Sequence, residues 1–170
     1  LGNLHSVKNA LDYVEIESFI SDDPEKLDEA DGLILPGVGA FPDAMHRLKE
    51  TQLDLYIRDS AVAKMKPLLG ICLGMQILFD VGYEFEMTEG LGLVKGKVVK
   101  IQTNGMKIPH IGWNELDIKR ASRLTDGLKN GDQVYFVHSY KAVVKNDEDL
   151  IATTHYSEEI PAIIGHNNVY

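Results

Sequence analysis

The sequence predicts an α/β protein: a mostly parallel, doubly wound sheet with flanking helices, plus a smaller mixed or antiparallel strand region. Three observations carry this prediction. The first half alternates helix-period and strand-like segments, the pattern of a parallel sheet covered by helices. An apolar run in that half ends at a glycine-flanked cysteine and continues at helical spacing. The second half is a series of short strand candidates separated by turn-rich stretches.

Taken in order, Leu1 to Val14 reads as a helix, with Leu4, Val7, Leu11 and Val14 at three- and four-residue steps. The acidic stretch Asp22-Asp23-Pro24-Glu25 reads as a solvated loop and helix start. Asp31 to Pro36 reads as a short buried strand ending at proline. Pro42 to Leu48 opens a helix with Ala44, Met45 and Leu48 inward, and Leu53 to Ala63 continues as a second helical stretch. A strand over Pro67–Ile71 follows. The helix after Cys72 is expected to carry Met75, Leu78 and Phe79 on one face. Strand candidates then recur at Lys97–Ile101, His110–Leu116, Gln133–His138, Leu150–Thr154 and Ala162–Ile164.

Composition narrows the function classes. The chain has 170 residues, of which 44% are hydrophobic, enough for one compact domain over residues 1–170 with a sizeable core. The net charge is −9 and no lysine- or arginine-rich stripe occurs, which argues against a nucleic-acid partner. No apolar run approaches the ~20 residues of a membrane span, and no signal-peptide pattern opens the chain. A single cysteine excludes an internal disulfide and suits a reducing cytoplasm. The histidines are scattered without ligand spacing, so neither a metal nor another cofactor is expected.

The cysteine is the most informative residue. In Gly70-Ile71-Cys72-Leu73-Gly74-Met75-Gln76, glycines stand two residues before and two after Cys72. This is the cysteine form of a nucleophile elbow, a sharp strand-to-helix turn. Small neighbours are needed because the backbone passes close to itself there. At a helix N-terminus the thiolate is favoured, and the Leu73 amide is aimed at an oxyanion on the substrate. A lone cysteine more commonly serves as a small buried hydrophobe; the elbow context reverses that preference.

A second constellation is Leu35-Pro36-Gly37-Val38-Gly39-Ala40-Phe41 at the end of an apolar strand. Such a loop presents backbone N–H groups to an anion. Alone it reads as a plain glycine-rich turn. In an α/β domain it shares with Cys72 the carboxyl-end rim of the sheet, where ligands bind. Gln76, one helical turn after Cys72, is either an amide ligand for a polar substrate or a solvated side chain. His138 is a general base, a pocket wall or a satisfied core histidine, and pattern alone favours the last. Trp113, the only tryptophan, is either core, its default, or an interface anchor.

With these residues in hand, the chain resembles the class I glutamine amidotransferases, and among them the glutaminase subunits of imidazole glycerol phosphate synthases. The resemblance rests on Gly2-Asn3-Leu4-His5-Ser6-Val7, the Leu35–Phe41 loop, the Gly70–Gln76 elbow, Pro109-His110-Ile111-Gly112-Trp113-Asn114 and Tyr135-Phe136-Val137-His138-Ser139-Tyr140. It implies that Cys72 attacks the side-chain amide of glutamine and that a glutamyl thioester is hydrolysed to glutamate. It implies oxyanion donors near Val38, Gly39 and Leu73, and substrate contacts at Gly37, Gly39, Gln76, Ser139 and Tyr140. It also implies a (β/α)₈-barrel cyclase partner that receives the ammonia, with Asn3, Trp113 and Tyr135 at or near that interface. An inactive binding module, the glutaminase of another amidotransferase, and an elbow cysteine serving other chemistry are the alternatives.

The family pattern departs at both ends. A first strand is expected ahead of Gly2-Asn3. The histidine and glutamate of the catalytic triad are expected beyond Tyr170, since no H-x-E occurs in the 170 residues. A piece of a longer chain and a degenerate homologue both account for this. The first is favoured, because a doubly wound sheet without an inner strand exposes apolar edges.

Overall fold

A computed structural model describes residues 3–170, so the predicted helix start at Leu1 and the Gly2 of the first family segment lie outside the described residues. Helix α1 (Leu4–Tyr13) is capped by Asn3, whose side chain accepts from the Ser6 amide, and it buries none of its residues. Helix α2 (Pro24–Asp28) starts where the acidic stretch predicts, with the Asp23 carboxylate accepting from the Glu25 amide. Strand β1 (Leu33–Gly37) leads to α3 (Phe41–Glu50), which buries Phe41, Ala44, Met45 and Leu48. Gln52 takes a left-handed conformation and separates α3 from α4 (Leu53–Val62).

Strand β2 (Leu68–Cys72) pairs in parallel with β1, from Leu33 opposite Leu68 to Gly37 opposite Cys72. On its other side it meets the C-terminal segment: the Leu68 amide donates to Asn168, the Gly70 amide to Tyr170, and the Tyr170 amide back to Leu68. The strand carrying the cysteine is therefore interior. Its backbone from Leu68 to Gly70 is held from two sides, which fixes the base of the turn that carries the cysteine.

Helix α5 (Leu73–Gln76) differs from expectation. It ends after one turn, and Phe79 belongs to strand β3 (Phe79–Gly82) instead of the helix face shared with Met75. The reason is burial. Ile77, Leu78 and Phe79 are consecutive and all fully buried, an arrangement that suits chain enclosed on every side, not one stripe of a helix. The carbonyls of Ile77, Leu78 and Phe79 are taken by the amides of Leu91, Leu93 and Gly92.

The strand-rich second half forms largely as predicted. Strand β4 (Thr88–Glu89) pairs with β3. Strand β5 (Val94–Lys100) lies parallel to β3 and antiparallel to β9 (Tyr140–Val144). Strands β6 (His110–Glu115) and β8 (Gln133–His138) form an antiparallel pair. Strands β7 (Asp117–Ile118), β10 (Leu150–Tyr156) and β11 (Glu158–Ile164) form a further sheet, which is antiparallel throughout. Among the described residues, parallel pairing is thus confined to β1–β2 with the C-terminal segment, and to β3–β5. One apolar cluster joins the two halves, from Phe41, Met45 and Ile57 through Leu73 and Phe79 to Val98 and Ala142.

Candidate active site

Close approach dictates the turn at Cys72. The residue has φ 57° and ψ −115°, a left-handed conformation that non-glycine residues adopt at a cost of roughly 1–3 kcal/mol. Its neighbours have no room for side chains. A Cβ on Gly74 would lie 1.7 Å from the Leu35 carbonyl oxygen, and one on Gly70 would lie 2.6 Å from the Met75 Cα. A Cβ on Gly37 would meet the Gly74 nitrogen and the Leu73 Cβ at 2.9 Å. The glycine spacing read from the sequence is therefore a packing requirement between β1, β2 and α5.

This packing brings the two predicted constellations together. Gly37 is the ladder partner of Cys72, so the Val38-Gly39 loop begins directly beside the thiol. Val38 is 63% exposed, and Gly39 has φ +99° with open space around it. Among the described residues, neither the Val38 nor the Gly39 amide donates a hydrogen bond within the protein. The loop is closed by Glu84, whose Oε2 accepts from the Phe41 amide at 2.7 Å. That carboxylate caps α3 where Ala40 has no side chain to do so.

Cys72 is solvent-exposed. The protein crowded around the turn nevertheless withdraws enough water to push its thiol above the ordinary cysteine value, with the Leu73 amide pulling the other way. The helix-terminus effect expected from the sequence is present and is the weaker of the two. A one-turn helix also offers little dipole. Beside Cys72 lies a cavity of about 320 Å³ walled by Leu69, Met75, Leu124, Ile163 and Tyr170, and its lining holds no histidine or carboxylate. A larger cavity of about 660 Å³ lies elsewhere, between Trp113, Asn114 and Thr154, and its lining contains no cysteine.

The remaining predicted residues divide. Gln76 is only 8% exposed, and its Nε2 donates to the Tyr140 carbonyl at 3.0 Å, which ties α5 to β9. Solvation of Gln76, the alternative from sequence, is thereby excluded. Ser139, between β8 and β9, and Tyr140, the first residue of β9, are half-buried, and the Ser139 carbonyl accepts from the Ile101 amide. Burial, then the Glu84 carboxylate, push the Tyr140 phenol up. Asn3 caps α1, with no contact to the elbow among its hydrogen bonds.

Trp113 is 66% exposed, which overturns the core alternative. It stands edge-on to Tyr135 at 5.6 Å, its cross-strand partner, and Ile111 and Val137 form the adjacent exposed pair. The opposite face of the same ribbon holds His138, hydrogen-bonded through both ring nitrogens as its satisfied-histidine alternative requires, and a second histidine beside it. His110 is completely buried, opposite His138, and hydrogen-bonds to it at 2.9 Å and to Asn114 Oδ1 at 2.8 Å. The signal was the alternation in His110-Ile111-Gly112-Trp113-Asn114, which puts both polar residues on one face of a strand. Glu84 carried no such signal.

Known proteins are similar to this chain in sequence and in fold. The family model described as glutamine amidotransferase class-I matches residues 3–170. The imidazole glycerol phosphate synthase subunit HisH of Lactococcus lactis subsp. lactis (strain IL1403) is 53% identical over 169 residues, covering 99% of this chain and 83% of the relative. The subunit of the same name from Geobacillus sp. (strain WCH70) is 50% identical over 175 residues, covering 100% of this chain and 82% of the relative. A crystal structure of a glutamine amidotransferase superposes with a TM-score of 0.74 over 99% of this chain and 82% of its own, at 19% identity, a likeness of fold. The chain belongs to the class I glutamine amidotransferases.

Proposed function

We propose that this chain is the glutaminase half of an imidazole glycerol phosphate synthase, hydrolysing glutamine and handing ammonia to a cyclase subunit in histidine biosynthesis. The observation that carries the reading is the rung Gly37–Cys72, which sets a strained, exposed thiol beside two amides that donate no hydrogen bond among the described residues. The relatives at about half identity point the same way. In this mechanism the Cys72 thiolate adds to the glutamine amide carbon. The oxyanion is held by the amides of Leu73 and of Val38 or Gly39. Ammonia leaves with a transferred proton, and water hydrolyses the thioester to glutamate and free thiol. Gly37, Gln76, Ser139 and Tyr140 hold the substrate.

The raised thiol makes a base indispensable, and the cavity beside Cys72 supplies none. The reading therefore requires the family's histidine and glutamate, expected beyond Tyr170, to reach this rim. The partner is a (β/α)₈-barrel cyclase forming a cytoplasmic heterodimer with lyase activity. The exposed quartet Ile111, Trp113, Tyr135 and Val137 supports docking there. Treatment of the partner-bound, full-length protein with a diazo-oxo-norleucine electrophile and glutamine competition tests the nucleophile. A glutamine-protected adduct on Cys72 is expected, and its absence overturns the assignment. The competing reading is an inactive docking module; ammonia release from glutamine by the complex separates the two.

A further inference from the structure

We propose that His110 and His138 work as one proton-sharing unit that positions Gln76, and with it the Cys72 turn, through the Tyr140 carbonyl. The significance of Gln76 and Cys72 rests on the glutaminase reading; the unit itself rests on hydrogen-bond counting.

Three contacts run in series. His138 Nδ1 meets the Tyr140 carbonyl at 2.9 Å, His138 Nε2 meets His110 Nδ1 at 2.9 Å, and His110 Nε2 meets Asn114 Oδ1 at 2.8 Å. Both ends are oxygen acceptors, so each contact needs a hydrogen from an imidazole. Two neutral rings carry two N–H groups, one short of three. Flipping Asn114 offers no relief, because its Nδ2 donates to the His155 carbonyl at 3.1 Å and a flip would set oxygen against oxygen. Nor can the rings swing away. His110 is fully buried and stacked between Phe136 and Tyr156, with centroids 5.0 and 4.0 Å distant. One additional proton, shared by the pair, completes the series.

The series does not end at Tyr140. The same carbonyl accepts Gln76 Nε2 at 3.0 Å, and Gln76 closes the helical turn that starts at Leu73, next to the thiol. His138 is thus a positioning residue: it fixes the acceptor that fixes α5. The charged and titratable groups on the surrounding strands are Glu115 on β6, His155 and Tyr156 on β10, Tyr140 and Lys141 on β9, and Glu158 and Glu159 on β11. Lys141 is engaged by Glu158, and among the described residues no carboxylate hydrogen-bonds either ring. Burial resists the shared proton, with the Tyr140 carbonyl favouring it and His110 opposing it, so His138 sits below the ordinary histidine value.

Side-chain nitrogen NMR of the two histidines, from about pH 8 to about pH 5, reads the unit directly. The expected result is uptake of a single proton with one midpoint common to both rings. The Gln76 side-chain amide resonance moves with that midpoint. In Asn114→Ala two hydrogens suffice for the remaining contacts, so the midpoint falls by about one pH unit or more. In His138→Asn, which keeps a donor toward Tyr140, His110 loses its shared titration and the Gln76 resonance becomes insensitive to pH. The two variants cut the series at different places, so one that misfolds leaves the other to decide. Two separate midpoints with one proton per ring, a Gln76 amide that ignores the titration, or an unchanged midpoint in Asn114→Ala overturns the proposal. None of these readings needs glutamine turnover, so failure of the Cys72 adduct leaves them standing and the reverse also holds.

Discussion

Cys72 reacts only once something removes its proton. Crowding at the turn pushes the thiol up, so its thiolate fraction at neutral pH is below that of a free cysteine. The rate of alkylation by iodoacetamide, followed by mass spectrometry of this single-cysteine chain, is expected to be slow at neutral pH. It should rise through an inflection above the ordinary value of about 8.5. An inflection below that value overturns the assignment of burial as the dominant influence. The glycine beside the cysteine is open to an equally direct check. Gly74→Ala forces a methyl group to within 1.7 Å of the Leu35 carbonyl, and neither β1 nor α5 can yield without disturbing the core. A loss on the order of 3 kcal/mol or more is expected in urea unfolding. These residues were legible from sequence because each constraint is local: a sharp turn needs glycine at fixed offsets, whatever the rest of the chain does. Gln76 was half legible. Its spacing from Cys72 put it on the right turn, but its partner is a carbonyl on β9, and no local pattern announces a bond across that separation.

Elements were predicted best where one face is buried and worst where burial is complete. Helix α3 and strands β6 and β8 carry their period in the sequence, and the structure keeps it: Phe41, Ala44, Met45 and Leu48 inward on the helix, alternate residues outward on the ribbon. Past Gln76 the period vanishes, since Ile77, Leu78 and Phe79 are all enclosed, and helix and strand then look alike in sequence. The ribbon also separates two roles by face. Removing Trp113 from its outer face touches no core residue, so Trp113→Ala is expected to leave the unfolding midpoint within about 0.5 kcal/mol of wild type. The same change should weaken cyclase binding by about 2 kcal/mol, roughly thirtyfold in Kd, measured by calorimetry. Undiminished binding removes Trp113 from the interface. On the other side of the site, Glu84→Gln keeps a weaker acceptor for the Phe41 amide while discarding the charge at the start of α3. A loss of about 0.5–1 kcal/mol in stability is expected.

At the scale of the molecule, acid is the predicted stress. The folded-state pKa of His138 is depressed, first by burial, so the unfolded chain binds the proton more readily. Its contribution is complete above about pH 6.5 and is lost as the pH falls below that value. Asp80 and Glu158 follow at lower pH. Burial raises each carboxyl, but the partners outweigh it: Lys95 and the Gly96 amide for Asp80, Lys141 and the Gln102 amide for Glu158. Both end below the usual carboxylate range, so their stabilisation is present above about pH 4 and lost on further acidification. Urea midpoints taken from pH 8 downward should therefore decline in two stages, the first removed by His138→Asn. A midpoint that is flat across the histidine range overturns the first stage. The architecture as a class was readable because helix and strand alternate in the first half and strands crowd the second. What could not be read was the joining of the halves, which depends on Tyr140, Ile164 and Val169 meeting residues far earlier in the chain.

The ribbon's outer face has one more consequence. Four large apolar side chains in two facing pairs, left wet, form an adhesive strip on an otherwise acidic particle. Unaccompanied chains in concentrated solution will tend to stick together there, more so in high salt, where mutual repulsion fades. Light scattering should report such clustering, and either added cyclase or a polar residue at position 113 should disperse it.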